Sequence, residues 1–167
     1  MQRDRTEALQ RMPIFGGVRQ DTLAALLDTA ATRTRLPDEY FFREGDHAES
    51  MFVLESGEID VLRRYAGREH LLARLGAGDC FGEMALLDLL PRSASVRAVS
   101  PCTAIELSSA SLFRLYETDL EQFALVQMNV ARELSRRLRE ADERLLQATL
   151  GRPQSVAEGW ARLYFAT

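Results

Sequence analysis

The stretch FGEMALLDLLPRSASV, residues 81–96, decides the reading of this chain, because it places a glycine, a carboxylate, a short helix-forming run and an arginine close together. Gly82 lets the backbone approach a bound molecule closely. Met84, Ala85, Leu86 and Leu87 form a helix-compatible run whose first N–H groups are free to face an anion. Arg92 carries a planar fork of donors suited to two oxygens of a phosphodiester, and its charge balances one negative charge. Ser93 adds a hydroxyl and a backbone N–H. Glu83 is out of place beside an anion unless it accepts a hydrogen bond from a sugar hydroxyl, which an ionised carboxylate is suited to do. A bare Glu and Arg nine positions apart read by default as a structural ion pair; it is the surrounding pattern that turns them into a candidate anion site.

Working outward, short strand-like runs surround this stretch: Tyr40 to Phe42, Met51 to Leu54, Ile59 to Leu62, Leu71 to Leu75 and Val96 to Leu107. Turn residues punctuate them at Gly45-Asp46, Ser56-Gly57, Ala66-Gly67, Gly76-Ala77-Gly78 and Pro91. Close spacing of this kind predicts a small antiparallel barrel or jelly roll over residues 37–107. Before it, residues 6–12 are helix-compatible, Pro13 to Gly17 form a turn, and Asp21 is a candidate N-cap for a second helix with Leu23, Leu26, Leu27 and Ala30 on one face. After it, Ala110 to Glu117 and a long segment from about Asp119 to Leu150 read as helices. In the latter, Ala124, Gln127, Ala131, Leu134, Leu138, Ala141, Leu145 and Ala148 make a coiled-coil-like stripe. Two readings of the stripe stay open: packing on its own barrel, or a homodimer formed through the long helix. The expected organisation is one domain over residues 1–150 and a tail over 151–167.

Residues 81–96 resemble the phosphate-binding cassette of the cyclic-nucleotide-binding domain family, which includes regulatory subunits of cAMP-dependent kinase, bacterial catabolite activators and nucleotide-gated channels. EGDHAESMFVLESGEIDVL (residues 44–62) and LGAGDCFGE (75–83) are similar to the family's glycine-punctuated strands, and MPIFGGV (12–18) and the closing helices follow it too. Over about residues 12–145 the resemblance implies an α+β, mainly β fold. This is an eight-stranded antiparallel jelly-roll barrel flanked by N-terminal helices and a long C-terminal helix, with the nucleotide inside the barrel.

Position by position, the resemblance implies that Glu83 takes the ribose 2′-hydroxyl and Arg92 the cyclic phosphate. Gly82, Met84, Ala85, Ser93 and Ala94 then stand at positions that touch ribose or phosphate largely through the backbone, and Val61, Leu72 and Ala73 stand near the base. Ser93 follows the arginine where kinase-type cAMP sites carry Ala and cGMP sites often carry Thr. Bacterial cAMP binders use Ser, so cAMP is the expected ligand, with cGMP the alternative. Catabolite activators cap the base with a Thr about where this chain has Ala141. Base contacts could come instead from an arginine of RELSRRLRE (132–140) or from the tail, where Ser155 to Glu158 read as a capping box opening a short helix with Trp160. Those arginines read by default as a solvated face with partners such as Glu133 and Arg137.

The resemblance further implies that cassette closure moves the helices after Ser108 and passes the signal to an unidentified protein partner or to self-association. Only residues 149–167 follow the long helix, too short for the winged helix-turn-helix of a catabolite activator, so no DNA-binding domain is expected.

A net charge of −4 over 167 residues argues against a broad polyanion-binding surface, and 46% apolar content is ample for a core. The N-terminus lacks the apolar stretch of a signal peptide, no apolar run has membrane-spanning length, and Cys80 and Cys102 are isolated, so a cytoplasmic protein with reduced thiols is expected. His47 and His70 do not pair as metal ligands, and no GxSxG or HExxH motif is present, so neither an enzyme nor a metal site nor a cofactor is expected. A ligand-free interaction module on the same fold, or a fragment of a channel or kinase, remains the rival reading.

Overall fold

Short apolar runs broken by glycine turns cannot form long helices, and they fold here as eight strands. The computed structural model describes residues 2–150, with side-chain surroundings from Thr6 onward. The strands are β1 (Ala31–Arg35), β2 (Tyr40–Phe42), β3 (Ser50–Ser56), β4 (Glu58–Tyr65), β5 (Arg68–Gly76), β6 (Cys80–Phe81), β7 (Ser95–Ala98) and β8 (Cys102–Ser108). They form two four-stranded antiparallel sheets, ordered β1-β8-β3-β6 and β2-β7-β4-β5. This agrees with a jelly roll but corrects the expectation of a closed barrel: the hydrogen-bond ladders stay within each sheet. The chain switches sheets between β3 and β4 at Gly57, so neighbouring strands in sequence need not be neighbours in a ladder.

Two further differences have simple causes. β1 begins at Ala31, ahead of residue 37, because ATRTR is an edge strand with a largely exposed face and shows no apolar alternation. The apolar run from Val96 to Leu107 is two strands, interrupted where Pro101 cannot donate to a ladder.

The core lies between the sheets. Phe41, Phe52, Leu54, Ile59, Leu75, Phe81, Val96 and Ala98 are buried together, with Phe42, Val61 and Ala73 packed against them. Phe52 faces Phe81 across the β3–β6 ladder and stacks on it with ring centroids 5.1 Å apart, while Phe41 meets both rings edge-on. On the other sheet, Ile59 and Val61 of β4 lie between Leu75 and Ala73 of β5 and Ala98 and Val96 of β7. The β4–β5 register then shifts, pairing Val61 with Ala73 but Leu62 with Leu71, so Leu72 is the extra residue of a bulge.

The N-terminal helices are α1 (Gln2–Gln10) and α2 (Gln20–Thr29), joined through a 3₁₀ turn at Pro13–Phe15. The N-cap of α2 is Arg19; Asp21, the expected cap, sits in the first turn, where Oδ1 accepts from Thr22 N at 2.7 Å. α3 (Met84–Asp88) follows β6, and α4 (Ser109–Thr118) is capped by Ser108, whose Oγ accepts from Ser111 N.

α5 (Leu120–Leu150) begins within the first of two compact units, which divide at Val130 and Ala131. In the first unit its buried side chains are Gln122, Val126, Asn129 and Val130. Gln122 Oε1 accepts from Arg19 N at 2.8 Å, and Asn129 Nδ2 donates to the carbonyls of Ile14 (3.1 Å) and Gly16 (2.9 Å). In the second unit the helix is laced by its own charges: Glu133 accepts from Arg136 at 2.6 Å and from Arg137 at 2.8 Å, the intrahelical pairing expected of those arginines, although the Glu133 and Arg137 side chains are partly buried and not fully solvated. Leu138 and Leu145 are exposed. The short helix expected around Trp160 lies outside the described residues. Among the described residues no helix is long and apolar enough to cross a membrane.

Gly57 carries the crossover between the sheets at a φ of +93°, and a Cβ there would lie 2.5 Å from the Pro101 carbonyl oxygen and 2.9 Å from Cys102 Cα. Both neighbours are backbone and cannot swing away. Gly57→Ala should therefore cost about 2 kcal/mol or more in urea unfolding, against roughly half a kcal/mol or less for Gly76→Ser, where φ is not positive and nothing lies within 4 Å of an added Cβ.

Candidate functional site

β6 ends at Phe81, and Gly82 turns the chain toward α3 with a φ of +76°. A Cβ on Gly82 would lie 2.5 Å from Arg92 Nη1 and 3.2 Å from the Phe42 ring. Glycine is thus required twice, by the backbone conformation and by the approach of the guanidinium. The Arg92 backbone is pinned from the other side by the loop after β2: Gly45 N donates to Arg92 O at 2.8 Å, and Arg92 N donates to Asp46 O at 2.9 Å.

Held there, the Arg92 side chain turns inward and is 5% exposed. Nη1 donates to Gly82 O at 2.8 Å and Nη2 to Ser50 Oγ at 3.3 Å. Its guanidinium carbon lies 4.1 Å from the centroid of Phe42 and 5.7 Å from that of Phe52, so two aromatic faces stand where water would otherwise solvate the charge. Nε is buried without a hydrogen-bond partner. Burial pushes the guanidinium below its ordinary acidity range, and the charges of Glu106, Asp46 and Glu83 work against that.

The other expected residues sort as follows. Glu83 is buried at the start of α3 and lines a cavity of about 660 Å³ together with Leu86 and Leu87 of α3, Leu112 and Tyr116 of α4 and Val130 of α5. Ala85 and Ala94 are buried; Met84 and Ser93 are exposed, with Ser93 Oγ 3.8 Å from Met84 Sδ. Val61 and Ala73 face one another across β4 and β5, half-buried against the aromatic core. Leu72 does not join them. It is 46% exposed because the bulge takes it out of the inward alternation.

Four residues close to Arg92 were not read from the sequence: Phe42, Phe52, Ser50 and Glu106. Ser50 Oγ, which accepts from Arg92, donates to Glu106 Oε1 at 2.7 Å, and Glu106 Oε2 accepts from Arg33 Nε at 2.6 Å. Burial works to raise the Glu106 carboxyl, but the hydrogen bonds from Ser50 and Arg33 and the charges of Arg33 and Arg92 outweigh it and hold the group below its ordinary value. A carboxylate on β8 two positions beyond the buried Ala104 breaks the apolar alternation of that strand, which is the one signal in the sequence that could have marked it.

Residues 32–119, more than half of the chain, match the family described as cyclic nucleotide-binding domain. The chain belongs to the cyclic nucleotide-binding domain family. It is 34% identical over 131 residues to the Cyclic AMP receptor protein of Thermus thermophilus, a match that covers 78% of this chain and 59% of that protein. It is also 34% identical over 107 residues to a cAMP-dependent protein kinase regulatory subunit of Emericella nidulans, covering 64% of this chain and 26% of that one. A cyclic nucleotide-binding domain from Methylobacillus flagellatus has a similar structure, with a TM-score of 0.81, 26% identity and coverage of 90% of this chain and 87% of that one. The chain thus spans less than two thirds of the curated relatives it matches.

In this cyclic nucleotide-binding domain, the depressed Glu106 carboxyl has a consequence for stability against pH. A carboxylate held below its unfolded value contributes stability that is present above the ordinary pKa of 4.5 and is lost as pH falls through the lower folded value. Glu106→Gln removes that contribution. The stability gap between wild type and variant in urea titrations should be widest near neutral pH and should narrow as pH is lowered below 4.5.

Proposed function

We propose that this domain is a regulatory sensor that binds cAMP through Arg92 and needs no metal or cofactor. The observation that carries the reading is the state of Arg92. Among the described residues its guanidinium is bonded to a carbonyl and a hydroxyl, both neutral, and its buried Nε has no partner. Burying a cation without a directly bonded anion is costly, and a singly charged phosphodiester reaching that fork would relieve the cost. Gly82 and the buried Ala85 and Ala94 leave room for the backbone to close on the ligand, and Ser93 stands exposed next to the arginine. The half-buried pair Val61 and Ala73 offers an apolar wall for the base. Glu83, whose charge acts on Arg92, is the acceptor proposed for the ribose 2′-hydroxyl.

The relatives named for cAMP support the choice of nucleotide, and their regulatory character supports a domain that signals without catalysis. Output is proposed to run through α4 and α5. The cavity of about 660 Å³ between α3 and these helices leaves unfilled volume into which they can repack when the cassette closes. On the long-helix stripe Ala124, Ala131, Leu138, Ala141, Leu145 and Ala148 are exposed while Gln127 and Leu134 are half-buried, which leaves apolar side chains available for self-association. We therefore place homodimerisation on the stripe, in a cytoplasmic protein whose further partner is another protein.

Calorimetric titration with cAMP, cGMP and 5′-AMP tests the ligand. cAMP should bind at micromolar affinity or tighter, 5′-AMP should give no heat, and Arg92→Ala should weaken cAMP binding by about 100-fold or more, the scale of a lost charge-assisted pair. Tighter binding of cGMP would reassign the ligand, and no heat with either cyclic nucleotide would favour a ligand-free interaction module. Self-association is tested separately by sedimentation velocity. Leu138→Glu with Leu145→Glu should convert a dimer to a monomer, and an unchanged species distribution would sink the stripe as the interface.

A further inference from the structure

β1, β8 and β3 lie side by side, and a line of polar contacts crosses them from the surface to the buried guanidinium. Arg33 on β1 donates to Glu106 Oε2 at 2.6 Å; Glu106 Oε1 on β8 accepts from Ser50 Oγ at 2.7 Å; Ser50 on β3 accepts from Arg92 Nη2 at 3.3 Å. The register places these contacts on one face. Glu106 sits opposite Ala31 on β1 and Phe52 on β3, so Arg33 and Ser50 are its diagonal neighbours, two positions away. That face also carries Phe52 and Ala104 of the core, so alternation along β8 predicts an apolar residue at 106 and the chain has a carboxylate instead. Arg33 is half-exposed, whereas the Glu106 side chain is 20% exposed, so the charge on Glu106 is directed inward more than screened by water.

We propose that Glu106 is the internal counter-anion of Arg92, holding the guanidinium through Ser50 in the ligand-free protein and competing with the ligand's phosphate for it, and so setting the affinity of the site. The inference rests on the reading of Arg92 as the phosphate-binding residue. Two anions, one built in and one brought by the ligand, contend for a single cation, and Ser50 is the switchable link: its hydroxyl donates to Glu106 and accepts from Arg92 at once. Arg33 moderates the competition from outside by sharing the carboxylate. Glu106 is on this account a positioning residue, since it acts through Arg92 and Ser50.

The charge is what matters, so the test separates charge from shape. Titration with cAMP should show Glu106→Gln binding about fivefold more tightly than wild type, the scale of one unit charge acting through a partly buried path, with the gain shrinking at high salt. Glu106→Asp, which keeps the charge, should restore near wild-type affinity. Arg33→Ala should bind about twofold more weakly, because the carboxylate then bears on Arg92 alone. If Glu106 were only a structural prop, Glu106→Gln would bind as wild type or more weakly, and that result overturns the proposal while leaving the sensor reading in place. A double-mutant cycle with Arg92→Gln and Glu106→Gln in urea unfolding of the ligand-free protein provides the second measurement. Coupling between the two is expected, and additivity would overturn the link. A wild-type chain that binds no cyclic nucleotide overturns the sensor reading, and the affinity role with it.

Discussion

A guanidinium withdrawn from water is the constraint around which the rest of this domain is arranged. A charge in a weakly polarisable interior is unfavourable unless neighbours replace its hydration, and here the replacements come from separate parts of the chain. The Gly82 carbonyl comes from the turn after β6, the Ser50 hydroxyl from β3, and the aromatic faces of Phe42 and Phe52 from β2 and β3. The backbone of Arg92 is fastened by two hydrogen bonds to Gly45 and Asp46. None of these neighbours carries a full negative charge in direct contact. The site is therefore satisfied enough to be held in place, with the buried Nε of Arg92 left without a hydrogen-bond partner.

The two sheets explain why those parts meet. Stacking of Phe52 on Phe81 ties β3 to β6, and β6 delivers the chain to Gly82. Phe41 and Phe42, adjacent in sequence, both reach the same aromatic group although neighbours on a strand should face opposite ways; the register shift in the β2–β7 pair lies between Tyr40 and Phe42. Irregularity recurs at the β4–β5 bulge, which keeps Val61 opposite Ala73 and turns Leu72 outward. In both places a departure from regular pairing decides which side chains line the interior.

The helices contribute in a different way. α5 is fastened near its start by two amide side chains, Gln122 and Asn129, bonded to backbone groups around the turn that follows α1. Such contacts are directional, so that end of the helix is fixed in rotation. The cavity beside α3 is lined by Leu86 and Leu87 of α3, Leu112 and Tyr116 of α4 and Val130 of α5, together with polar residues such as Glu83 and Gln127.

Much of this was legible before any coordinates. The glycine turns, the short apolar runs and the helix-forming ends specify a two-sided antiparallel β core with helices at both ends, because period and turn chemistry are local properties. Gly82, Glu83 and Arg92 were marked by residue type and spacing, whereas the contact between Gly82 and Arg92 was not foreseen. What the sequence could not reveal depends on register. Polar β1 gave no strand signal, Leu72 was assigned inward although a bulge turns it out, and Ser50 and Glu106 were invisible as neighbours of Arg92 because 42 and 14 positions separate them from it along the chain. Local chemistry determined which residue would carry the charge and which glycine would make room for it. Only the pairing of distant strands decided what surrounds that charge, since a shift of one residue in a ladder sends every side chain to the opposite face.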